Sequence, residues 1–460
     1  MKMTIAEIAQ AINADTSLLS EDNLNKEITS VDFDSRNIQQ DGLFIPLKGE
    51  KDGHNYIESA AANGAGATLF AKDHQDQLPV AIPALLVDDP LKSFQELSKY
   101  YLQKINPRVI AVTGSNGKTT TKDMAASIMS AGFNVVKTHD NFNNEIGVPY
   151  TLLQMESNTE FLVVELGMDR PMQLDFLSKL VEPDVAIITM IGEAHIEFFK
   201  TRDKIADAKM EITHGLKEDG IFIYDGDEPL LQERARDLSF TKMTFGRNEN
   251  NDAYSTSVDV EKYETKFKTN LWPDQEMTIP LIGDYNVNNA LAAILVGKIF
   301  RIHEQLICKQ LANVELTKNR TEWLKGKLGE SILSDVYNSN PTAALEVLRT
   351  FNGTQVDGRR IIVLGDMLEL GEQSLKMHAS LAREISVDKD DQVYLIGSDI
   401  NALADTLEPE YDSTRLHVYP KEKLAELAND LAVDMQPNDT VLLKASHGIH
   451  LEQVVAKLID

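Results

Sequence analysis

The stretch VIAVTGSNGKTTT, residues 109–121, decides how this chain is read. Val109 to Thr113 form a short apolar run that fits a buried strand. Gly114 and Gly117 then let the backbone turn and bring amide groups up to phosphate oxygens with no side chain in the way. Lys118 offers a point charge to the β- and γ-phosphates, and the Thr119 hydroxyl can reach Mg²⁺. A helix over 119–131 follows, with Gly132 as its stop. Only Ser115 and Asn116 separate Gly114 from Gly117, so the motif is G-x-x-G-K-T, shorter than the general phosphate loop. The strand–loop–helix setting raises it above an ordinary turn. It predicts a bound nucleoside triphosphate, with Gly114 to Thr120 as its contacts, and leaves kinases, GTPases and ligases all open.

Working outward, apolar runs at Phe161 to Leu166, Asp184 to Met190 and Ile221 to Tyr224 alternate with helical stretches, the pattern of a parallel sheet covered by helices. A second alternating region starts near Ser331, with strands expected at Ile332 to Val336, Arg360 to Leu364, Gln392 to Ile396 and Thr440 to Leu443. Before the phosphate loop, a short amphipathic helix over 4–12 and a turn-rich segment from Val31 to Ile57 suggest a smaller unit. Its last helix, from Pro90 to Tyr101, leads into Ile105-Asn106-Pro107. The expected architecture is α/β in three domains: a small N-domain (1–106), a central phosphate-loop domain with a parallel sheet (107–315), and a C-terminal Rossmann-like, doubly wound domain (316–460). No internal repeat or low-complexity tract interrupts it.

The 460 residues carry 45 Lys and Arg against 72 Asp and Glu, a net charge of −27. So negative a surface argues against nucleic acid and anionic membranes as partners; an anionic substrate must be gripped by a few local cations and backbone amides. Cys308 is the one cysteine, which fits a reducing, cytoplasmic compartment. The first residues lack the apolar core of a secretion signal, and no run reaches the roughly 18 apolar residues of a membrane helix, so neither secretion nor membrane insertion is expected.

Further motifs narrow the chemistry. NFNNEIGVP, from Asn141 to Pro149, is either an Asn-rich turn or a binding loop, since asparagine both donates and accepts hydrogen bonds. VVELG puts Glu165 at a carboxyl-terminal strand end, where ligands bind in open α/β sheets. IGEAHIEFF contains His195, and IADAKMEI contains Lys209 on a helix, where an isolated lysine is normally a solvated surface group. GDYNVNNALAA sets Asn286 and Asn289 three apart on one helix face, with Asn286 alternatively a cap. NRTEW holds Arg320, and SDVYNSNP holds Asp335, Tyr337, Asn338 and Asn340, with a strand-to-helix turn as its plain reading.

Together with TGSNGKTTT, these strings resemble the Mur ligase family, and the resemblance runs over essentially the whole chain. It implies an ATP-dependent ligase that joins a carboxylate to an amine through an acyl phosphate. The forms NFNNEIGVP and D-x-Y-N-x-N-P are similar to the member that adds D-alanyl-D-alanine to UDP-N-acetylmuramoyl-tripeptide. By resemblance, Thr119, Glu165 and His195 hold Mg²⁺, joined by Lys209 as a CO₂-derived carbamate. Lys118, Lys209 and His195 are the catalytic candidates. Asn286, Asn289, Arg320 and Asp335 belong to ATP. Asn141, Asn143, Asn144, Tyr337, Asn338 and Asn340 belong to the substrates. DSR at 34–36 and LKGEKDGH at 47–54 resemble a uridine-nucleotide module, giving Ser35, Arg36 and Lys48. GDMLELG, 365–371, and Lys444-Ala445-Ser446 are also family-like, without an assigned role. A monomer is expected. The rivals are a sibling ligase with another amino acid, a phosphate-loop switch that only hydrolyses nucleotide, and a silent binding module.

Overall fold

The computed structural model describes residues 1–78, 81–318 and 320–459. Near the N-terminus four short strands, Ser30–Asp32 (β1), Gly42–Phe44 (β2), Ala65–Ala71 (β3) and Ala84–Val87 (β4), pair in chain order and in parallel. The helix Pro90–Ile105 follows; Asp89 caps its N-terminus and Asn106, at φ 54°, ends it in the left-handed region. Pro107 cannot continue a helix, so the chain leaves here for the central sheet. Tyr101 of this helix donates from its hydroxyl to the Met155 carbonyl at 2.9 Å, tying the first unit to the second.

The central sheet has nine strands: Arg108–Thr113 (β5), Val135–Lys137 (β6), Phe161–Glu165 (β7), Val185–Ile188 (β8), Ile221–Asp225 (β9), Thr241–Gly246 (β10), Ala253–Val260 (β11), Thr265–Thr269 (β12) and Trp272–Ile279 (β13). Their order is β13-β12-β11-β10-β9-β8-β5-β7-β6. The chain builds β6 and β7 on one side of β5 and β8 to β10 on the other. The crevice at this change of direction lies beyond the carboxyl end of β5, where the phosphate loop emerges.

Both faces of this sheet are buried, and the sequence alternates accordingly. Val109 and Ala111 of β5 join one core with Leu162, Val164, Ala186 and Ile188. Ile110 and Val112 join the other with Val163, Val185, Ile187 and the helix Asp284–Ile299. Near-continuous apolar strands are what a sheet covered on both sides requires. That helix is buried from Ala290 through Val296 on every side, so it lacks the one-sided stripe that marks a surface helix. The antiparallel extension β11–β12–β13 was not anticipated either, because its first strand, β11, is exposed from Thr256 to Val260 and mostly polar.

The C-terminal sheet runs Glu322–Lys325 (β14), Ser331–Asp335 (β15), Arg360–Gly365 (β16), Gln392–Ile396 (β17), Leu416–Tyr419 (β18) and Thr440–Lys444 (β19), ordered β14-β15-β19-β16-β17-β18. Only β14 is antiparallel. Here too alternate residues enter two cores, Ile362 and Leu364 on one side and Ile361 and Val363 on the other. Among the described residues no helix is long and apolar enough to cross a membrane.

Candidate functional site

A cleft of about 890 Å³ opens between the carboxyl ends of the central strands and the third unit, and the phosphate loop forms part of its wall. Gly114 has φ 151° and Gly117 has φ 79°. A Cβ on Gly114 would stand 1.8 Å from Thr189 Oγ1, and one on Gly117 would stand 2.2 Å from Asn289 Oδ1. The two glycines are therefore needed by close approach as well as by backbone angle. The helix Lys118–Met129 starts directly after Gly117. Ser115 Oγ accepts from the Gly192 amide at 2.8 Å, holding the loop against the segment after β8.

Lys118 is half-buried rather than solvent-facing, as a loop lysine would be expected to be. Its Nζ donates to the Gly114 carbonyl at 2.9 Å. Burial lowers its pKa, Glu165 opposes that shift, and Arg320 adds to it. Glu165, at the end of β7, is buried; it accepts from Thr119 Oγ1 at 2.7 Å and from Asn143 Nδ2 at 2.8 Å. Lys209 lines the same cleft and is only 2 % exposed, so the surface-lysine reading is wrong. It has no hydrogen-bond or ion-pair partner among the described residues, and burial, then the neighbouring Lys118 charge, push its pKa well below the ordinary lysine value. His195 also lines the cleft, with Nδ1 2.5 Å from Glu369 Oε2 of the third unit.

The third unit brings its own charges. Arg320 lies 4.0 Å above the Tyr337 ring, a cation–π contact, and its buried Nε has no partner. Asp335, ending β15, accepts from Lys444 Nζ at 2.5 Å and from the Thr321 amide at 3.2 Å. Lys444 is buried and also donates to the Asn338 carbonyl at 2.9 Å. Asn340 caps the helix Pro341–Gly353, and its amide exchanges two hydrogen bonds with Asn116 of the phosphate loop, at 2.6 and 3.2 Å.

Several sequence candidates are engaged in structural bonds here. Asn286 Nδ2 donates to the Ile282 carbonyl and its Oδ1 accepts from Asn289 Nδ2, while Asn289 Oδ1 accepts from Thr121. The pair braces the underside of the phosphate loop and still borders the cleft. Asn144 Oδ1 accepts from the Ile146 and Gly147 amides at the entry to the helix Gly147–Leu153. Asn141 and Asn338 are exposed. Asn340 is buried with its amide occupied, so in this conformation it is not free to meet a substrate. Ser35, Arg36 and Lys48 lie apart from the cleft. Ser35 is buried, and Lys48 is an exposed loop residue. Arg36 is clamped on Asp34 at 2.6 Å and borders a shallow hollow with Asp32, Asn37 and Tyr150.

Sequence reading missed Thr189, Asp225, Arg247, Tyr285 and Glu346, all of which line the cleft. Asp225 and Thr189 carried a usable signal, as polar residues at or just past the carboxyl ends of parallel strands. The others are brought in only by tertiary packing.

A phosphate loop at a sheet's change of direction, met across a cleft by Arg320 and Lys444 from a second sheet, defines a nucleotide-binding protein that works between domains. Family models match in sequence along the chain: the Mur ligase family catalytic domain at 27–115, the Mur ligase middle domain at 112–297 and the Mur ligase glutamate ligase domain at 319–447. A Bacillus subtilis UDP-N-acetylmuramoyl-tripeptide--D-alanyl-D-alanine ligase is 39% identical over 100% of this chain and 99% of its own length. The Escherichia coli ligase of the same name is 32% identical over 95% of this chain and 96% of its own. Among solved structures, MurF from Acinetobacter baumannii superposes with TM-score 0.86 at 28% identity, covering 100% of this chain and 99% of that one. The MurF ligase from Thermotoga maritima in complex with ADP gives 0.79 at 27% identity, covering 93% and 96%. The chain belongs to the Mur ligase family.

Proposed function

We propose that this protein is an ATP-dependent ligase that adds D-alanyl-D-alanine to UDP-N-acetylmuramoyl-tripeptide, giving the UDP-linked pentapeptide precursor of peptidoglycan. Relatives bearing that name match over nearly their full lengths. The observation that carries the chemistry is the meeting of Lys118 and Arg320 in the cleft walled by the phosphate loop, in a chain whose net charge is −27. Such a cluster is suited to a polyphosphate and to the negative charge that develops during phosphoryl transfer.

The three units divide the work: 1–106 takes the uridine nucleotide through Ser35, Arg36 and Lys48, 107–315 takes ATP, and 316–460 closes over both. A tripeptide carboxylate oxygen attacks the γ-phosphorus, the bond to the bridging oxygen breaks, and ADP leaves. The dipeptide amine then attacks the acyl carbon, loses a proton, and expels phosphate. Lys118 and the loop amides hold the phosphates, Arg320 meets them from the far side, and Asp335 accepts from the ribose hydroxyls. Asn141, Asn143, Asn144, Tyr337 and Asn338 border the substrates. Positioning and charge stabilisation suffice, with no protein nucleophile.

The donor set fits Mg²⁺: the buried Thr119 hydroxyl and Glu165 carboxylate lie 2.7 Å apart, and His195 faces the same cleft. The ion would neutralise phosphate oxygens. A buried lysine with a strongly lowered pKa is the neutral amine that CO₂ requires, which supports a carbamate on Lys209. Nucleotide substrates and the free Cys308 favour the cytoplasm. The test is phosphate release from ATP with UDP-N-acetylmuramoyl-tripeptide, with and without D-alanyl-D-alanine. Release that needs both substrates, with pentapeptide formed, supports the ligase; release that ignores them sinks it.

A further inference from the structure

The loop that follows β16, the GDMLELG motif, has no role in the mechanism above, yet it is pinned along its length. Asp366 Oδ1 accepts from the Ile400 amide at 2.8 Å. The Met367 amide donates to His378 Nε2 at 2.8 Å, and the Leu368 amide donates to Ser446 Oγ at 2.9 Å. A loop so held presents Glu369 in a fixed direction, toward the central unit. There Glu369 Oε2 lies 2.5 Å from His195 Nδ1, where an ionised carboxylate can only accept, and the Glu369 carbonyl accepts from the Glu197 amide at 3.0 Å. Gly371, at φ 58°, passes so close that a Cβ would stand 3.3 Å from Glu197 Cα.

Both partners hold unusual backbone angles, φ 63° at His195 and φ 62° at Glu369. Neither is glycine, so each conformation costs energy that the surrounding contacts must offset. An ordinary surface ion pair has no need of that. The contortion aims one ring nitrogen at a carboxylate while the ring still lines the nucleotide cleft. With the proton held on Nδ1, the Nε2 lone pair is left for the cleft. A carboxylate or carbonyl behind a ligating imidazole is the usual way to fix its tautomer and orientation.

We infer that Glu369 is a positioning residue: it reaches from the C-terminal domain to set the tautomer and direction of His195, so that the cation site of the central domain is complete only when the two domains are docked. The inference rests on the Mg²⁺–nucleotide reading of the cleft. It also makes cation binding and domain docking favour each other, as linkage requires.

The test uses the full-length protein with ADP and Mn²⁺ as the probe, bound metal being counted by electron paramagnetic resonance. Wild type, Glu369→Ala, Glu369→Gln, His195→Ala and the Glu369→Ala/His195→Ala double variant are compared. Glu369→Ala is expected to weaken the His195-dependent Mn²⁺ by about 10- to 100-fold. Glu369→Gln keeps most of the affinity, because its amide oxygen still accepts from Nδ1–H. In the His195→Ala background, Glu369→Ala has no further effect, which a merely structural latch would not give. Unchanged Mn²⁺ affinity in Glu369→Ala, or an equal further loss in the double variant, overturns the inference with the cleft reading intact. Failure of wild type to bind Mn²⁺ with ADP overturns that reading and the inference together.

Discussion

Lys209 sits 2 % exposed beside a second lysine, with no partner among the described residues. A bare ammonium there would be both desolvated and repelled. Carbamylation exchanges it for an anion with oxygen donors, suited to a hard cation. Lys209→Ala should lose most ligase activity, and added formate or acetate should restore part of it; full activity without additive would reject the carbamate. Asp225 is the other strained group of the cleft. Burial raises its pKa from 3.8 to about 7, a hydrogen bond donated by the Asp227 backbone amide opposes this, and the charges of Asp227 and Glu228 add to it. Its folded pKa thus exceeds its unfolded one, so the folded state holds the proton more tightly. Stability falls as pH rises from about 4 to about 7 and is flat above. Asp225→Asn should gain on the order of 1–3 kcal/mol at pH 8 and little at pH 4, discounted for partial exposure. Urea unfolding at the two pH values measures it, and an equal effect at both would contradict the assignment. At this scale the residue types were legible, Lys118 and Glu165 among them. Burial was not: nothing local in IADAKMEI distinguishes a surface lysine from one inside a cleft.

Strand β5, the glycine loop and the helix Lys118–Met129 form the element on which the site depends. Its reading survived because strand, loop and helix are consecutive in sequence, and each part has its own local signal. Gly117→Ala combines a left-handed backbone, at a cost of about 1–2 kcal/mol, with the 2.2 Å approach to Asn289 Oδ1. It should lower thermal stability and weaken ADP binding at least about tenfold, by calorimetry; wild-type affinity would show that the loop tolerates the side chain. The helix Asp284–Ile299 was recognised only at its start, since full burial erases the periodicity that reveals a helix.

Across the whole molecule, the docked domains are joined by polar links that include Asn340 with Asn116, Thr342 with Glu193 at 2.6 Å, and Glu369 with His195. Asn340→Ala removes a helix cap, worth about 1 kcal/mol, together with the amide pair. It should loosen the C-terminal domain, seen as a larger radius of gyration by X-ray scattering, and lower kcat more than the KM for ATP. An unchanged radius with unchanged kcat would remove this pair from the docking interface.

By itself the sequence determined the α/β class, the alternation of strands and helices, and the phosphate loop, because these depend on periodicity and turn chemistry within a dozen residues. It also supplied the charge balance that makes the cleft's cations stand out. Only the tertiary structure decided which candidates meet. Asn116 and Asn340 are 224 residues apart, and His195 and Glu369 are 174 apart. Such pairs arise when separately folded sheets dock, and their geometry is set by packing rather than by any local pattern. The same docking turned Asn340 from a substrate candidate into an interdomain bond, while tertiary packing made a helical lysine a buried amine lining the same cleft.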